Sequence, residues 1–108
     1  MSQSFTPPQS VRNAALRGLN WRNEYGRGGT QIGVARARDL SNGRTVSLKT
    51  LKRMKAYFDR HAVDSYAVGW FKGEKGFPSA GRIAWELWGG DAGRKWAEAK
   101  LKQLENES

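Results

Sequence analysis

Apolar residues recur along this chain mainly at the spacing of an α-helix. Between about 8 and 25, Val11, Ala14, Ala15, Gly18, Trp21 and Tyr25 fall in one arc of a helical wheel, with Arg12 and Arg17 outside it. Gly18 lies inside that arc, and a mid-helix glycine costs about 1 kcal/mol relative to alanine, so its expected use is close approach by another helix. Arg22 falls in the same arc and needs either a buried partner or a bent helix end. Gly26-Arg27-Gly28-Gly29 breaks this helix, and Thr30 caps a second one running to about Leu40. Ser41-Asn42-Gly43-Arg44 has turn composition, because Asn-Gly tolerates positive φ. Ser47 then caps the most amphipathic helix, about 48 to 62, whose apolar arc holds Leu48, Leu51, Met54, Phe58 and Ala62. Lys55 sits at the edge of that arc and has Asp59 four residues on as a partner.

The stretch from Ser65 to Pro78 combines glycines with Tyr66, Trp70, Phe71 and Phe77 and has no clear period. It reads as an ordered loop fastened by its aromatics, with a short hairpin as the alternative. Ser79 caps a helix over about 80 to 88, Gly89-Gly90 suits a left-handed end, and Asp91 caps a last helix over about 92 to 105. Residues 1 to 7 read as a flexible arm. The pattern predicts a mostly α chain in which residues 8 to 106 form one domain. Its architecture is a compact bundle of about five helices with a helix-turn-helix-like centre and a Gly/aromatic-rich loop.

Composition narrows the chemistry more than the fold. With 108 residues, 38% of them hydrophobic and 12 aromatic, the chain has enough apolar material for a core and is not of disordered composition. No apolar run approaches the roughly 18 residues needed to span a bilayer, and the start MSQSFTPPQS lacks the regions of a signal peptide. The expectation is a soluble, intracellular protein with no membrane partner. Without cysteine and with a single histidine, disulfides, thiolate-held zinc and imidazole-rich metal sites are excluded, and no cofactor is expected.

Charge changes the picture. The formal net charge is +9, and the whole excess lies in the first 60 residues, which carry 12 Lys/Arg against Glu24, Asp39 and Asp59. The other 48 residues hold seven basic and seven acidic side chains. Such asymmetry points to a polyanion, most simply nucleic acid, because each phosphate neutralised releases condensed counterions. Nine of the 12 are arginines, whose planar fork grips phosphate or guanine in two-point contact. A solvated basic surface, or one that matches an acidic protein, remains open on the same composition.

Several motifs are candidates for function. Gly26 to Gly33 invites comparison with a phosphate loop but lacks the Gly-Lys-Ser/Thr ending and a preceding strand. It is read as a turn, with Arg27 beside it as a phosphate contact. His61 lies three residues from Asp64, yet no second histidine or clear nucleophile accompanies them, so His61 is read as structural and the chain as a non-enzyme. Trp21, Trp85, Trp88 and Trp96 belong to amphipathic faces and are expected in the core, whereas Trp70 and Phe71, beside Lys72 and Lys75, are candidates for stacking on bases. The most informative arrangement is helix, Asn-Gly turn, basic helix over 30 to 62. Its second helix would enter a groove with Lys49, Thr50 and Arg53 outward. The connection from Ser41 to Val46 is longer than the usual three or four residues of that motif. The expected nucleic-acid contacts are Arg27, Arg36, Arg38, Arg44, Lys49, Thr50, Lys52, Arg53 and Arg60. Arg36 and Arg38 diverge by about 200° on a helix, so one of them is expected to serve structure.

The segments at 25–47, 52–64 and 77–97 together resemble a small domain of unknown function encoded by tailed double-stranded DNA phages, including marine ones. That domain sometimes stands beside or fused to head-maturation protease sequence, and the likeness spans about residues 8 to 100. It carries no activity to transfer. It implies a phage origin and a setting among virion or DNA-handling proteins, in the host cytoplasm or incorporated in the virion. Two functions follow as expectations: a non-enzymatic DNA-binding protein using the basic helix at about 47 to 60, or a virion or head-assembly protein docking on an acidic surface of a phage head component.

Overall fold

Val11, Ala14, Ala15 and Gly18 repeat at helical spacing, and the chain is helical from Gln9 to Tyr25 (α1) with these four residues buried. The computed structural model describes residues 3–107. The remaining elements follow the caps. Thr30, Ser47 and Ser79 accept hydrogen bonds from the backbone N–H groups of Gly33, Thr50 and Arg82. They open α2 (Gln31–Ser41), α3 (Leu48–His61) and α4 (Ala80–Leu87). A 3₁₀ turn over Ala62–Tyr66 extends α3, and α5 runs from Gly90 to Glu107. Asp91, expected as the cap of the last helix, instead lies inside α5, where its Oδ1 accepts from Trp85 Nε1 at 2.9 Å. Among the described residues these five α-helices account for most of the chain, and none is long and apolar enough to cross a membrane.

The helices assemble around α1, which packs on α2, α4 and α5, while α3 packs chiefly on α5. The closest approach is at Gly18. A Cβ there would lie 2.6 Å from the backbone nitrogen of Leu87 and 2.9 Å from the carbonyl carbon of Glu86, so only glycine lets α1 touch the backbone of α4. Val11, Ala15, Leu40, Leu51, Met54, Phe58, Leu87 and Ala97 form a single core that the aromatic residues extend. Trp85 anchors the aromatic part, with Phe58 and Trp70 packed edge-on at 4.7 and 5.3 Å between centroids.

Two short strands were not legible in the helical pattern. Ser4–Phe5 (β1) pairs antiparallel with Val46–Ser47 (β2), and Phe5 packs on the core. This part of the expected flexible arm is therefore anchored, while Met1 and Ser2 lie outside the described residues. The same pairing alters the expected helix-turn-helix-like centre. That motif needs its two helices packed on each other. Here β2 is inserted between them, α2 leans on α1 and α4, and α3 leans on α5. The helix-turn-helix-like arrangement is not confirmed, and α2 and α3 instead form the two sides of a cleft. The Asn-Gly turn does form, with Gly43 at φ 72°, and the Arg12 side chain packs against it.

Charged groups near α1 are drawn inward. Glu86, 2% exposed, accepts from Arg17 Nε at 2.9 Å and is ion-paired with its Nη2 at 2.8 Å, with Arg82 Nη2 3.6 Å away. Two guanidinium groups thus neutralise one buried carboxylate that α4 would otherwise carry into the core at a cost. Arg22, which needed a partner, donates from Nε to the Gly28 carbonyl at 2.9 Å.

Candidate nucleic-acid interface

Residues on α3 at 53, 56, 57, 60 and 61 share one stripe, because steps of three and four return to the same face of a helix. This stripe borders the apolar one that faces the core, and it lines a cleft of about 780 Å³, within the usual size range of ligand sites. From α2 come Ile32 and Arg36, also four apart, and from the turn before it Gly29 and Thr30. Asp64, Ala84 and Trp88 complete the lining. The cleft therefore gathers three arginines, Arg36, Arg53 and Arg60, from two separate helices.

The floor is a ring stack. Tyr57 lies between Trp88 at 4.6 Å, nearly coplanar at 8°, and His61 at 4.5 Å. The Arg36 guanidinium carbon is 5.9 Å from the Trp88 ring centre, in reach of a cation–π contact. His61 Nδ1 is 3.2 Å from Asp64 Oδ2, which fixes the ring and leaves Nε2 as its other hydrogen-bonding atom. Burial pushes the Arg36 guanidinium below its ordinary pKa, Asp39 opposes this, and Arg53 adds to it as a like charge. Asp39 is a distant partner, at 3.9 Å from Arg36 Nη1.

Two polar atoms on this cleft have no hydrogen-bond partner among the described residues, Arg36 Nε and the Tyr57 hydroxyl. Tyr57 is only 5% exposed, and burial raises its phenol above the ordinary range. An unpartnered buried hydroxyl costs about 1–3 kcal/mol. Tyr57→Phe is accordingly expected to hold or raise the thermal midpoint, read by circular dichroism. A lowered midpoint would show that the hydroxyl has a partner within the fold.

The expected contacts divide into two groups. Arg36, Arg53 and Arg60 meet at the cleft, and Lys49 and Lys52 stand exposed on the same helix α3. Arg38 is exposed on α2 but turned away from Arg36, as the 200° divergence requires. The exposed side chains of Arg38, Lys49, Lys52, Arg53 and Arg60 make no ion pair or hydrogen bond among the described residues, and four of these five lie on α3.

The second group is held by the fold. Arg27 donates from Nε and Nη2 to the Pro78 carbonyl and from Nη2 to that of Gly76, and it lies over the Tyr25 ring at 5.3 Å. It fastens the loop to the end of α1 while remaining exposed. Arg44 Nη1 is 3.5 Å from Asp39 Oδ1. Thr50 is half-buried, accepting from Ser47 Oγ at 3.1 Å while its N–H donates to the same oxygen, so it completes the cap of α3 instead of facing a groove. Trp70 is 5% exposed against Trp85 and cannot stack on a base, whereas Phe71 is 60% exposed and can. Arg17 and Arg22 are likewise occupied, so the basic excess of the first 60 residues forms one face on α3 and α2 and not a continuous coat.

Sequence reasoning missed the participation of Tyr57, Trp88, Ile32, His61 and Asp64. The signal was the stripe 53, 57, 60, 61 running beside the core stripe of the same helix, with Asp64 one turn further on. Among the described residues no group of three or more His, Asp or Glu is placed to hold a metal ion. No protein-family model, curated protein or solved structure matches the chain.

Proposed function

We propose that the protein binds nucleic acid through the exposed face of α3 and the cleft beside it, without catalysing a reaction on it. The phage setting implied by the sequence resemblance makes DNA the first polymer to test, in the host cytoplasm or within particles. The observation that carries this reading is the meeting of Arg36, Arg53 and Arg60 at one cleft, continued along α3 by Lys49 and Lys52. The exposed, unpaired side chains of Lys49, Lys52, Arg53 and Arg60 are free to take phosphates, and Arg36, only distantly paired with Asp39, stands across the cleft from them. The Arg-rich cleft favours two-point contacts that a scattered lysine coat does not give.

The test is a fluorescence anisotropy titration of short duplex and single-stranded DNA at 50 and 200 mM salt. With about four phosphate contacts, the affinity is expected to fall by about 10²-fold between these salts. Affinity indifferent to salt overturns the reading. Weak DNA binding together with recovery of the chain in purified phage particles moves the basic face to a head component instead.

A further inference from the structure

The cleft is more specific than a phosphate-tracking ridge requires. Lys49 and Lys52 suit a backbone diester, which carries one charge and has chain on both sides. The cleft is recessed, and its lining has three guanidinium groups against the single carboxylate of Asp64. Three guanidinium groups against one carboxylate leave two positive charges over, the charge of a phosphomonoester near pH 7. A monoester has chain on one side only and can enter a recess.

Three further features favour such a group. The Tyr57 side chain lines this cleft, and its hydroxyl, sealed from solvent, has no hydrogen-bond partner among the described residues. Arg36 Nε is unpartnered there too, on a side chain only 15% exposed, and its one carboxylate neighbour is distant. Gly29, Thr30 and Ile32 bring the N-terminal turn of α2 to the same wall, where the helix dipole and backbone N–H groups favour an anion. The exposed Ile32 and the edge of Trp88 supply an apolar surface beside this charge, as a nucleoside needs.

Resting on the nucleic-acid reading above, we infer that the cleft between α2, α3 and α4 is a phosphomonoester site. It takes a nucleotide whose terminal phosphate lies against Arg36, Arg53 and Arg60, with the nucleoside toward Ile32 and Trp88. The faces of Tyr57 are occupied by Trp88 and His61, so Tyr57 offers no stacking surface to a base.

The experiment compares a 3′-labelled single-stranded hexanucleotide with a 5′-phosphate against the same strand with a 5′-hydroxyl, at 50 mM salt. Adenosine 5′-monophosphate serves as competitor and as a ligand alone, read by tryptophan fluorescence. The phosphorylated strand is expected to bind at least tenfold more tightly. That preference should vanish in R53Q/R60Q, whose substituted residues are exposed and whose Lys49 and Lys52 remain. Competition by the mononucleotide assigns the site to free nucleotides as well as strand ends, and failure to compete assigns it to strand ends; either supports the inference. Equal affinity for the two strands overturns it and leaves the nucleic-acid reading standing. Binding of the mononucleotide with neither strand bound overturns the nucleic-acid reading and keeps the site. No binding of any of the three overturns both.

Discussion

Exchanging Lys49, Lys52 and Arg53 for glutamate is expected to lower DNA affinity by about 10² to 10³-fold at 0.1 M salt. Each lost phosphate contact removes roughly an eightfold contribution from counterion release at that salt, and three are lost together. The reversed charges also repel the backbone, so the loss is a lower bound. All three residues are exposed, and none makes an ion pair or hydrogen bond among the described residues, which leaves the fold untouched. The control is a reversal at Arg38, equally exposed but on the outer side of α2, which should cost tenfold or less. A comparable loss at both positions, or no loss at the triple variant, would separate the binding face from α3. The measurement is the anisotropy titration, repeated across salt so that the change in slope counts the contacts removed.

Gly18→Leu is expected to be the most damaging single substitution outside the aromatic core. Relieving helical glycine returns about 1 kcal/mol, but the new side chain would have to occupy the backbone of Leu87 and Glu86. Overpacking of this kind typically costs about 1–3 kcal/mol and occasionally more, and here the obstacle is main chain, which cannot change rotamer. A net loss of about 2–3 kcal/mol corresponds to roughly 10–20 °C in thermal midpoint for a domain of this length. The same movement would pull Glu86 from Arg17, exposing a carboxylate that the fold keeps 2% accessible. Circular dichroism melts of the variant and of Gly18→Ala, which meets the same atoms with one carbon, measure both steps. A midpoint unchanged in Gly18→Leu would mean that α1 and α4 are not in backbone contact.

The helices were legible because their signals are local. Ser47 and Ser79 announce the ends they cap, and the spacing of Leu51, Met54 and Phe58 declares the buried face of α3 within two turns. Even the role of Gly18 could be read, since a glycine in an apolar arc has few other uses. What the sequence did not show was pairing at a distance. Phe5 finds Val46 across forty residues, and no two-residue strand has a period to read. Once β2 separates α2 from α3, the helix-turn-helix expectation loses its geometry. The charges were equally ambiguous one by one. Arg53 and Arg27 look alike in a sequence, but one faces solvent and the other donates to Pro78 and Gly76 carbonyls fifty residues away. The candidate site was half legible for the same reason. Its arginines stood out by composition, whereas Tyr57 and Trp88 looked like core residues and are in fact the wall between core and cleft.

The position of α1 sets an order for the chain's birth at the ribosome. Its principal neighbours include α4 and α5, which begin more than fifty residues further along the chain, so the seam along Val11, Ala15 and Gly18 stays wet until residues 80–107 emerge. During that interval the cations of α3 have already been synthesised, ahead of the helices that close the interior.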